Sequence, residues 1–148
     1  MICTFIGNRD TPPEVEKPLE EAILRLIEKG VTTFYVGHHG KFDWMAHRVL
    51  HRLMETTHPE IACVVVLAYM NMDVRGWGET MVPEGLEKVP PKFGIDHRNR
   101  YMLKCADYVI TYVRFTFRGA GNYAEIAQKM EEKGEITVIP LYSCINEG

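Results

Sequence analysis

The sequence contains no closely spaced pair of cysteines. Its four cysteines are far apart along the chain: Cys3, Cys63, Cys105 and Cys144. Zinc ribbons and thiol redox motifs both need close pairs, and this spacing supports neither kind of site. Cys3 and Cys63 fall within apolar runs, where a cysteine behaves as a small hydrophobic residue, and we expect both to be buried.

Long apolar runs are also missing. No run approaches the ~20 residues of a membrane-spanning helix. The start of the chain, MICTFIGNRD, does not combine a basic segment with a long apolar one, as signal peptides do. We therefore expect no membrane partner, no signal peptide and a location in the cytoplasm.

The chain has no excess of positive charge. Its 17 Lys and Arg residues are outnumbered by 20 Asp and Glu residues, and the formal net charge is -3. This balance argues against general binding to nucleic acids or anionic membranes, so we do not expect a nucleic acid as the partner. A local anion site is compatible with it, because a few oriented N–H groups and one arginine suffice.

Strand and helix patterns alternate along the 148 residues, a length typical of one domain. Apolar runs predict five strands: MICTFI, TTFYV, IACVVVLA, DYVITYV and ITVIP. One-face apolar spacing predicts helices over residues 11–30, 43–56, 96–105 and 122–133. Such alternation is typical of a doubly wound α/β fold, here with a five-stranded parallel sheet.

Residues 69–94 do not fit this alternation. The segment holds four glycines and three prolines and has no periodic apolar face. A segment of this length without periodicity is typical of a lid or a binding loop, and we predict a long loop or lid here. Residues 1–141 then form one domain, and residues 142–148 form a short tail.

Glycine beside basic or amide residues recurs at the predicted carboxyl ends of the strands. GNRD follows the first strand, GHHGKFD the second and RFTFRGAGN the fourth. Doubly wound sheets bind ligands at this edge, where the strand order reverses. Glycine allows close approach to the backbone, and a helix N-terminus attracts anions. We therefore predict a phosphate on the N–H groups of residues 119–122.

These motifs, in this order, resemble the SLOG superfamily, which unites the DNA-processing protein A, the Lonely Guy proteins and the YpsA-like proteins. The resemblance covers residues 1–141. It implies a three-layer, Rossmann-like fold whose five parallel strands have the order 3-2-1-4-5.

The stretch GHHGKFDWMAH is similar to the motif G-G-A-R-G-I-D-x-x-A-H of the DNA-processing protein A. Four positions match: Gly37, Asp43, Ala46 and His47. The ligand-contacting positions of that motif hold different residues here: His38, His39, Gly40 and Lys41. The resemblance therefore implies single-stranded DNA binding only as a weaker alternative.

The segments DHRNRYM and RGAGNYAE are similar to the motifs R-K-x-x-M and P-G-G-x-G-T-x-x-E of the Lonely Guy proteins. The matching residues are Arg98, Met102, Gly119, Gly121 and Glu125. The motifs differ at Asn99, Arg118 and Asn122. In that family the arginine and the glutamate act in hydrolysing a nucleoside 5′-monophosphate, and the resemblance implies this role for Arg98 and Glu125. A second interpretation of Glu125 is local, since it lies three residues after Asn122, the spacing of a helix capping box.

The residues and the resemblance together predict one ligand site. Its predicted ligand-binding residues are Gly7, Asn8, Arg9, Gly37, His38, His39, Gly40, Lys41, Arg98, Arg118, Gly119, Ala120, Gly121 and Asn122. Tyr69 and Trp77 have two interpretations: they stack on a base, or they cover an edge of the core.

One helix face carries Asp43, His47 and His51 at four-residue intervals. This spacing suits a metal, but zinc-binding helices show the closer HExxH arrangement and have a third ligand elsewhere. We therefore predict no metal and no cofactor. The resemblance implies instead that Asp43 caps the helix or holds the preceding loop.

These observations favour a protein that binds a nucleotide or a nucleotide derivative, as a sensor or a processing protein of the YpsA-like kind. The alternative is an enzyme of Lonely Guy type, a nucleoside 5′-monophosphate N-glycosidase. The expected partner is a small-molecule nucleotide. The question of catalysis is left open, and so is the oligomeric state, with a homo-oligomer among the alternatives.

Overall fold

The structure of the protein, a computed structural model, describes residues 1–114 and 119–141. Within these ranges the chain forms six strands and four α-helices. In chain order they are β1 (Ile2–Gly7), α1 (Glu16–Glu28), β2 (Thr33–Val36), α2 (Lys41–Glu55), β3 (Ala62–Val66), β4 (Glu79–Met81), α3 (Gly94–Cys105), β5 (Tyr108–Tyr112), α4 (Gly119–Glu132) and β6 (Thr137–Pro140). None of the described helices is long and apolar enough to cross a membrane.

All six strands belong to one parallel sheet in the order β4-β3-β2-β1-β5-β6. The predicted α/β fold with a parallel sheet is confirmed. The order expected for five strands recurs within the sheet as β3-β2-β1-β5-β6. The prediction of five strands is wrong, because β4 adds a sixth strand next to β3.

β4 forms within residues 69–94, the segment that we predicted as a long loop or lid. It has three residues and no apolar alternation. Pairing with β3 holds β4 in place. Just after β3, the Leu67 N–H donates to the carbonyl of Met81, the last residue of β4, over 2.8 Å. Tertiary pairing thus creates a strand that the sequence pattern does not predict. That the rest of this segment covers a bound ligand stays a prediction.

Helices cover both faces of the sheet. α1 and α2 pack on one face, in a core that includes Leu19, Val49, Phe5 and Phe34. α3 and α4 pack on the other, in a core that includes Leu103, Ala127, Ile6 and Val109. Successive side chains of a strand point to opposite faces, so Phe5 joins the first core and Ile6 the second. Cys3 and Cys63 are buried free thiols, as expected.

α4 begins at Gly119 rather than at Asn122, so residues 119–122 form its first turn. Glycine is ~1 kcal/mol less favourable in a helix than alanine, which is why the sequence pattern places the boundary after the glycines. Packing of Ala127 and Tyr123 against the sheet outweighs that preference. Asn122 therefore lies inside the helix and is not its N-cap. The capping box that the sequence spacing of Asn122 and Glu125 allows does not form. Arg118 lies outside the described residues.

Gly7 ends β1 at a point where α2 packs closely on the sheet. A Cβ atom at this position would overlap the ring of Phe42. Phe42 lies buried in the first turn of α2 and stacks on Tyr112, with 6.2 Å between ring centroids. The absence of a side chain at Gly7 therefore sets how close α2 comes to β1.

We expect Gly7→Ala to lower the free energy of unfolding by about 1–3 kcal/mol, because overpacking forces core side chains out of their preferred rotamers. Urea denaturation followed by circular dichroism measures the change. Phe42→Leu makes room at the same place, so the two substitutions together should cost less than the sum of their separate losses. Strictly additive losses would contradict this packing argument.

Candidate functional site

A cavity of about 410 Å³ lies at the carboxyl end of β1. The sheet extends from β1 in both directions, with β2, β3 and β4 on one side and β5 and β6 on the other. The cavity is therefore at the switch point where doubly wound sheets bind ligands. Its lining residues are Phe5, Ile6, Gly7, Asn8, Arg9, Asp10, His39, Asp43, Ile95, Arg98, Asn99, Ala120 and Tyr123.

Arg98 is the buried cation of this cavity, with 2% of its surface exposed. Its Nη1 donates to the Val66 carbonyl at the end of β3 (3.2 Å), its Nε to Asn99 Oδ1 (2.7 Å) and its Nη2 to His39 Nδ1 (3.3 Å). These bonds use three of the five N–H groups of a guanidinium. Among the described residues Arg98 has no ion-pair partner. Burial lowers its pKa, and the nearby charge of Asp43 opposes that effect.

Asp43, in the first turn of α2, is the buried carboxylate of the cavity. Its Oδ2 accepts the backbone N–H of His39 over 2.8 Å, so Asp43 holds the loop between β2 and α2. Burial raises the pKa of Asp43 to about 6, although the charge of Arg98 and the His39 hydrogen bond act in the opposite direction. Gly37 permits this arrangement, because a Cβ there would lie 2.6 Å from Asp43 Oδ2 and 2.9 Å from Arg98 Nη1.

His38 and His39 are neutral near pH 7. Burial, and next the charge of Arg98, lowers the pKa of His38 to about 3 and that of His39 to about 4. Ala68 N–H donates to His38 Nε2 over 3.0 Å, which leaves the His38 proton on Nδ1. Arg98 can only donate to His39 Nδ1, which leaves the His39 proton on Nε2. His39 therefore brings a neutral imidazole with one N–H donor to the cavity.

Hydrogen bonds fix the turn that follows β1. The Asn8 N–H donates to the Tyr112 carbonyl of β5 (3.0 Å), and the Thr11 hydroxyl donates to the Asn8 carbonyl (2.8 Å). The Lys41 N–H donates to the Arg9 carbonyl (2.8 Å), which joins the turn to the start of α2. The side chains of residues 9 and 10 are exposed and line the cavity, so they stand at its mouth on a fixed backbone.

The opposite wall of the cavity comes from α3 and α4. Ala120 lies in the first turn of α4, where the leading N–H groups of a helix have no partner within it and carry the positive end of its dipole. Tyr123, almost one turn later, donates its hydroxyl to Asp96 Oδ1 of α3 over 2.7 Å. The start of α4 is thereby tied to the helix that carries Arg98.

The structure brings together part of the predicted site. The predicted ligand-binding residues that line the cavity are Gly7, Asn8, Arg9, His39, Arg98 and Ala120. Six other predicted residues of the described chain lie outside this lining: Gly37, His38, Gly40, Lys41, Gly121 and Asn122. Glu125 is exposed on α4 and does not line the cavity, so the structure does not bring it together with Arg98.

Several lining residues were missing from the predicted ligand-binding set. They are Phe5, Ile6, Asp10, Asp43, Ile95, Asn99 and Tyr123. Asp10 and Asn99 directly follow predicted arginines in the sequence, and that adjacency is a signal that could have found them. Phe5 and Ile6 belong to an ordinary apolar strand, and nothing in their pattern marks the strand end that reaches the cavity.

The side chains once considered as metal ligands have other partners. His47 Nε2 lies 2.8 Å from the Trp77 carbonyl, and the rings of His47 and His51 stack at 4.2 Å. Asp43 contacts the loop before α2 instead. In the part of the chain that the structure describes, no three metal-ligating side chains cluster together. Trp77 packs against the core and against Trp44, in agreement with the interpretation that it covers an edge of the core.

No protein-family model matches the chain, and no curated protein matches it. Among solved structures, the chain is similar to DNA processing protein A from Helicobacter pylori, a protein with a single-stranded DNA binding mode. The TM-score is 0.57 and the sequence identity 13%, with 93% of this chain and 74% of that chain covered. At this identity the likeness shows a shared fold.

We expect the free energy of unfolding to fall as the pH falls below about 6.5, the ordinary pKa of histidine. Unfolded His38 and His39 take up protons near that pH, whereas the native state takes them up only near their lowered pKa values of about 3 and about 4. Asp43 acts in the opposite direction, because its raised pKa of about 6 lets the native state hold a proton that the unfolded state has lost. From these three groups the unfolded state binds about one more proton than the native state near pH 5, for a slope of about 1.4 kcal/mol per pH unit before solvent screening. Burial also lowers the pKa of His51, which acts in the same direction as His38 and His39.

Urea denaturation at several pH values between about 4.5 and 6.5 measures this slope. Asp43→Asn removes the opposing group, so the slope should become steeper in that variant. A stability that stays constant or rises on acidification would contradict the assignment of neutral histidines.

Proposed function

We propose that the protein binds a nucleoside phosphate in the cavity at the carboxyl end of β1. The observation that carries this proposal is the guanidinium of Arg98, which is buried, lines the cavity and makes no direct ion pair among the described residues. The charge of Asp43 acts on it from beyond ion-pair distance. A buried charge is costly unless it is paired and hydrogen-bonded. A ligand phosphate would supply the anion, on the two guanidinium N–H groups that the described contacts leave over.

The other donors around the cavity support an anionic ligand. The first turn of α4 begins at the cavity wall, His39 offers its Nε2 proton, and Arg9 stands at the mouth. The volume of about 410 Å³ falls within the range of roughly 300–1,000 Å³ typical of small-molecule sites. Apolar lining from Phe5, Ile6 and Ile95 supports an attached nucleoside beside the phosphate.

Binding, as in a sensor or a processing protein, is the function we favour over N-glycosidic hydrolysis. A Lonely Guy-like reaction needs a carboxylate beside the ribose, and the resemblance gives that role to Glu125. The exposure of Glu125 and its position outside the cavity lining therefore favour the binding function.

Single-stranded DNA is a second candidate ligand, favoured by the likeness to DNA processing protein A from Helicobacter pylori. That likeness weighs against our expectation that the partner is not a nucleic acid. The net charge of -3 weighs in the other direction, because DNA binding gains most of its affinity from neutralised phosphates. A thermal-shift panel of AMP, ADP-ribose, NAD and single-stranded oligonucleotides separates the candidates, since a ligand of the native state raises the unfolding temperature.

Replacing Arg98 should weaken the binding of the nucleotides that this panel identifies. We expect Arg98→Lys, which keeps the charge but loses the planar fork of donors, to reduce affinity about tenfold. Arg98→Ala should reduce it about tenfold to a hundredfold, as expected for loss of a charge-assisted hydrogen bond. Isothermal titration calorimetry measures both, at a temperature where circular dichroism shows each variant folded.

Arg9→Ala tests the mouth of the cavity and should weaken binding less than Arg98→Ala, because solvent screens an exposed charge. Arg75→Ala is the matched control, since this exposed arginine pairs only locally with Asp73 in the described contacts. Equal affinities in the Arg98 variants and the unsubstituted protein would place the phosphate elsewhere.

Glu125→Gln separates binding from hydrolysis. Because Glu125 is exposed and outside the cavity lining, we expect this variant to bind nucleotides with unchanged affinity. Chromatographic detection of free base, released from AMP by the unsubstituted protein and by the variant, completes the test. Base release that disappears in Glu125→Gln would establish the glycosidase alternative instead.

A further inference from the structure

The cavity contains carboxylates as well as cations. Arg9 and Arg98 line it together with Asp10 and Asp43, so its formal charges cancel. A site for a bare phosphate or a phosphodiester gains nothing from carboxylates, because like charges repel. A mixed lining suits a ligand that combines an anion with hydrogen-bond donors.

The two carboxylates differ in the hydrogen bonds that they already accept from the protein. Asp43 is buried and accepts the His39 N–H. Asp10 is exposed at the mouth, and its side chain makes no hydrogen bond or ion pair among the described residues. Asp10 is therefore the carboxylate with both oxygens ready to accept from a ligand.

The backbone around Asp10 is held on both sides. Before it, the Arg9 carbonyl accepts the Lys41 N–H. After it, Thr11 is buried and its hydroxyl donates to the Asn8 carbonyl. Ordering the carboxylate on a ligand therefore requires fixing only the short side chain of Asp10, and little conformational entropy is lost.

We propose that Asp10 accepts hydrogen bonds from the ribose hydroxyls of the ligand and that the site selects ribonucleotides over 2′-deoxyribonucleotides. Two vicinal hydroxyls match the two oxygens of a carboxylate, and an acidic residue binds the ribose 2′-hydroxyl in dinucleotide sites of related doubly wound sheets. Arg98 at the inner end and Asp10 at the mouth then hold the phosphate and the sugar of one molecule. This inference rests on the proposed function, because it needs a nucleotide in the cavity.

Calorimetric titration tests the inference with AMP, GMP, CMP and UMP, each paired with its 2′-deoxy counterpart dAMP, dGMP, dCMP or dUMP. We expect the best-bound ribonucleotide to bind about tenfold more tightly than its deoxy form, because the deoxy form keeps only the 3′-hydroxyl and loses one charge-assisted hydrogen bond to the carboxylate. In Asp10→Asn this ratio should fall toward one, chiefly through weaker binding of the ribonucleotide. Glu14→Gln removes the same charge from an exposed residue outside the cavity lining, and it should keep the ratio of the unsubstituted protein.

The outcomes separate the two proposals. Equal binding of ribo and deoxy forms that is weakened by Arg98→Lys would overturn the role of Asp10 and leave the phosphate site standing. A preference for ribose that survives Asp10→Asn would also overturn that role. No binding of any of the eight nucleotides, together with no stabilisation by ADP-ribose or NAD in the thermal-shift panel, would overturn the proposed nucleotide function itself. A protein that binds oligo(dU) as tightly as oligo(U) contradicts ribose selection in the same way.

Discussion

The burial of one guanidinium organises the carboxyl edge of the sheet. Arg98 joins segments far apart in the sequence: α3, which carries it, the end of β3 through the Val66 carbonyl, and the loop after β2 through His39. Its charge also favours the neutral forms of His38 and His39 and opposes the effect of burial on the pKa of Asp43. Because folding already removes Arg98 from water, a phosphate that binds it meets a donor in a fixed position.

The alternation of apolar runs and helical periodicity was enough to predict the α/β class, and the resemblance supplied the relative order of five strands. The pattern failed where local preference and tertiary context disagree. β4 is too short to show a period and exists because β3 offers it a partner, and α4 starts within glycines that a local pattern assigns to a loop. Both failures concern segments whose structure depends on residues distant in the sequence.

The candidate site was predictable to the extent that motifs mark it. Arg98, His39 and Asn8 lie in segments that glycine and the resemblance identify, and all three line the cavity. The sequence could not show that Glu125 faces solvent, because that depends on how α4 is rotated on the sheet. The position of Asp10 in the cavity lining could not be predicted either. The path of the turn decides whether an exposed acidic residue pairs with the neighbouring arginine or faces a cavity.

The short strand at the sheet edge has a consequence for the solution behaviour of the chain. β3, with the sequence ACVVV, would be the edge of a five-stranded sheet, where a flat apolar strand with unpaired backbone groups recruits strands from other molecules. β4 occupies that edge with three residues, the first of which is the exposed Glu79. Protection against intermolecular strand pairing therefore depends on residues 69–94, a segment that contributes nothing to the cavity lining. Substitutions that loosen it should promote aggregation while the cavity residues remain intact.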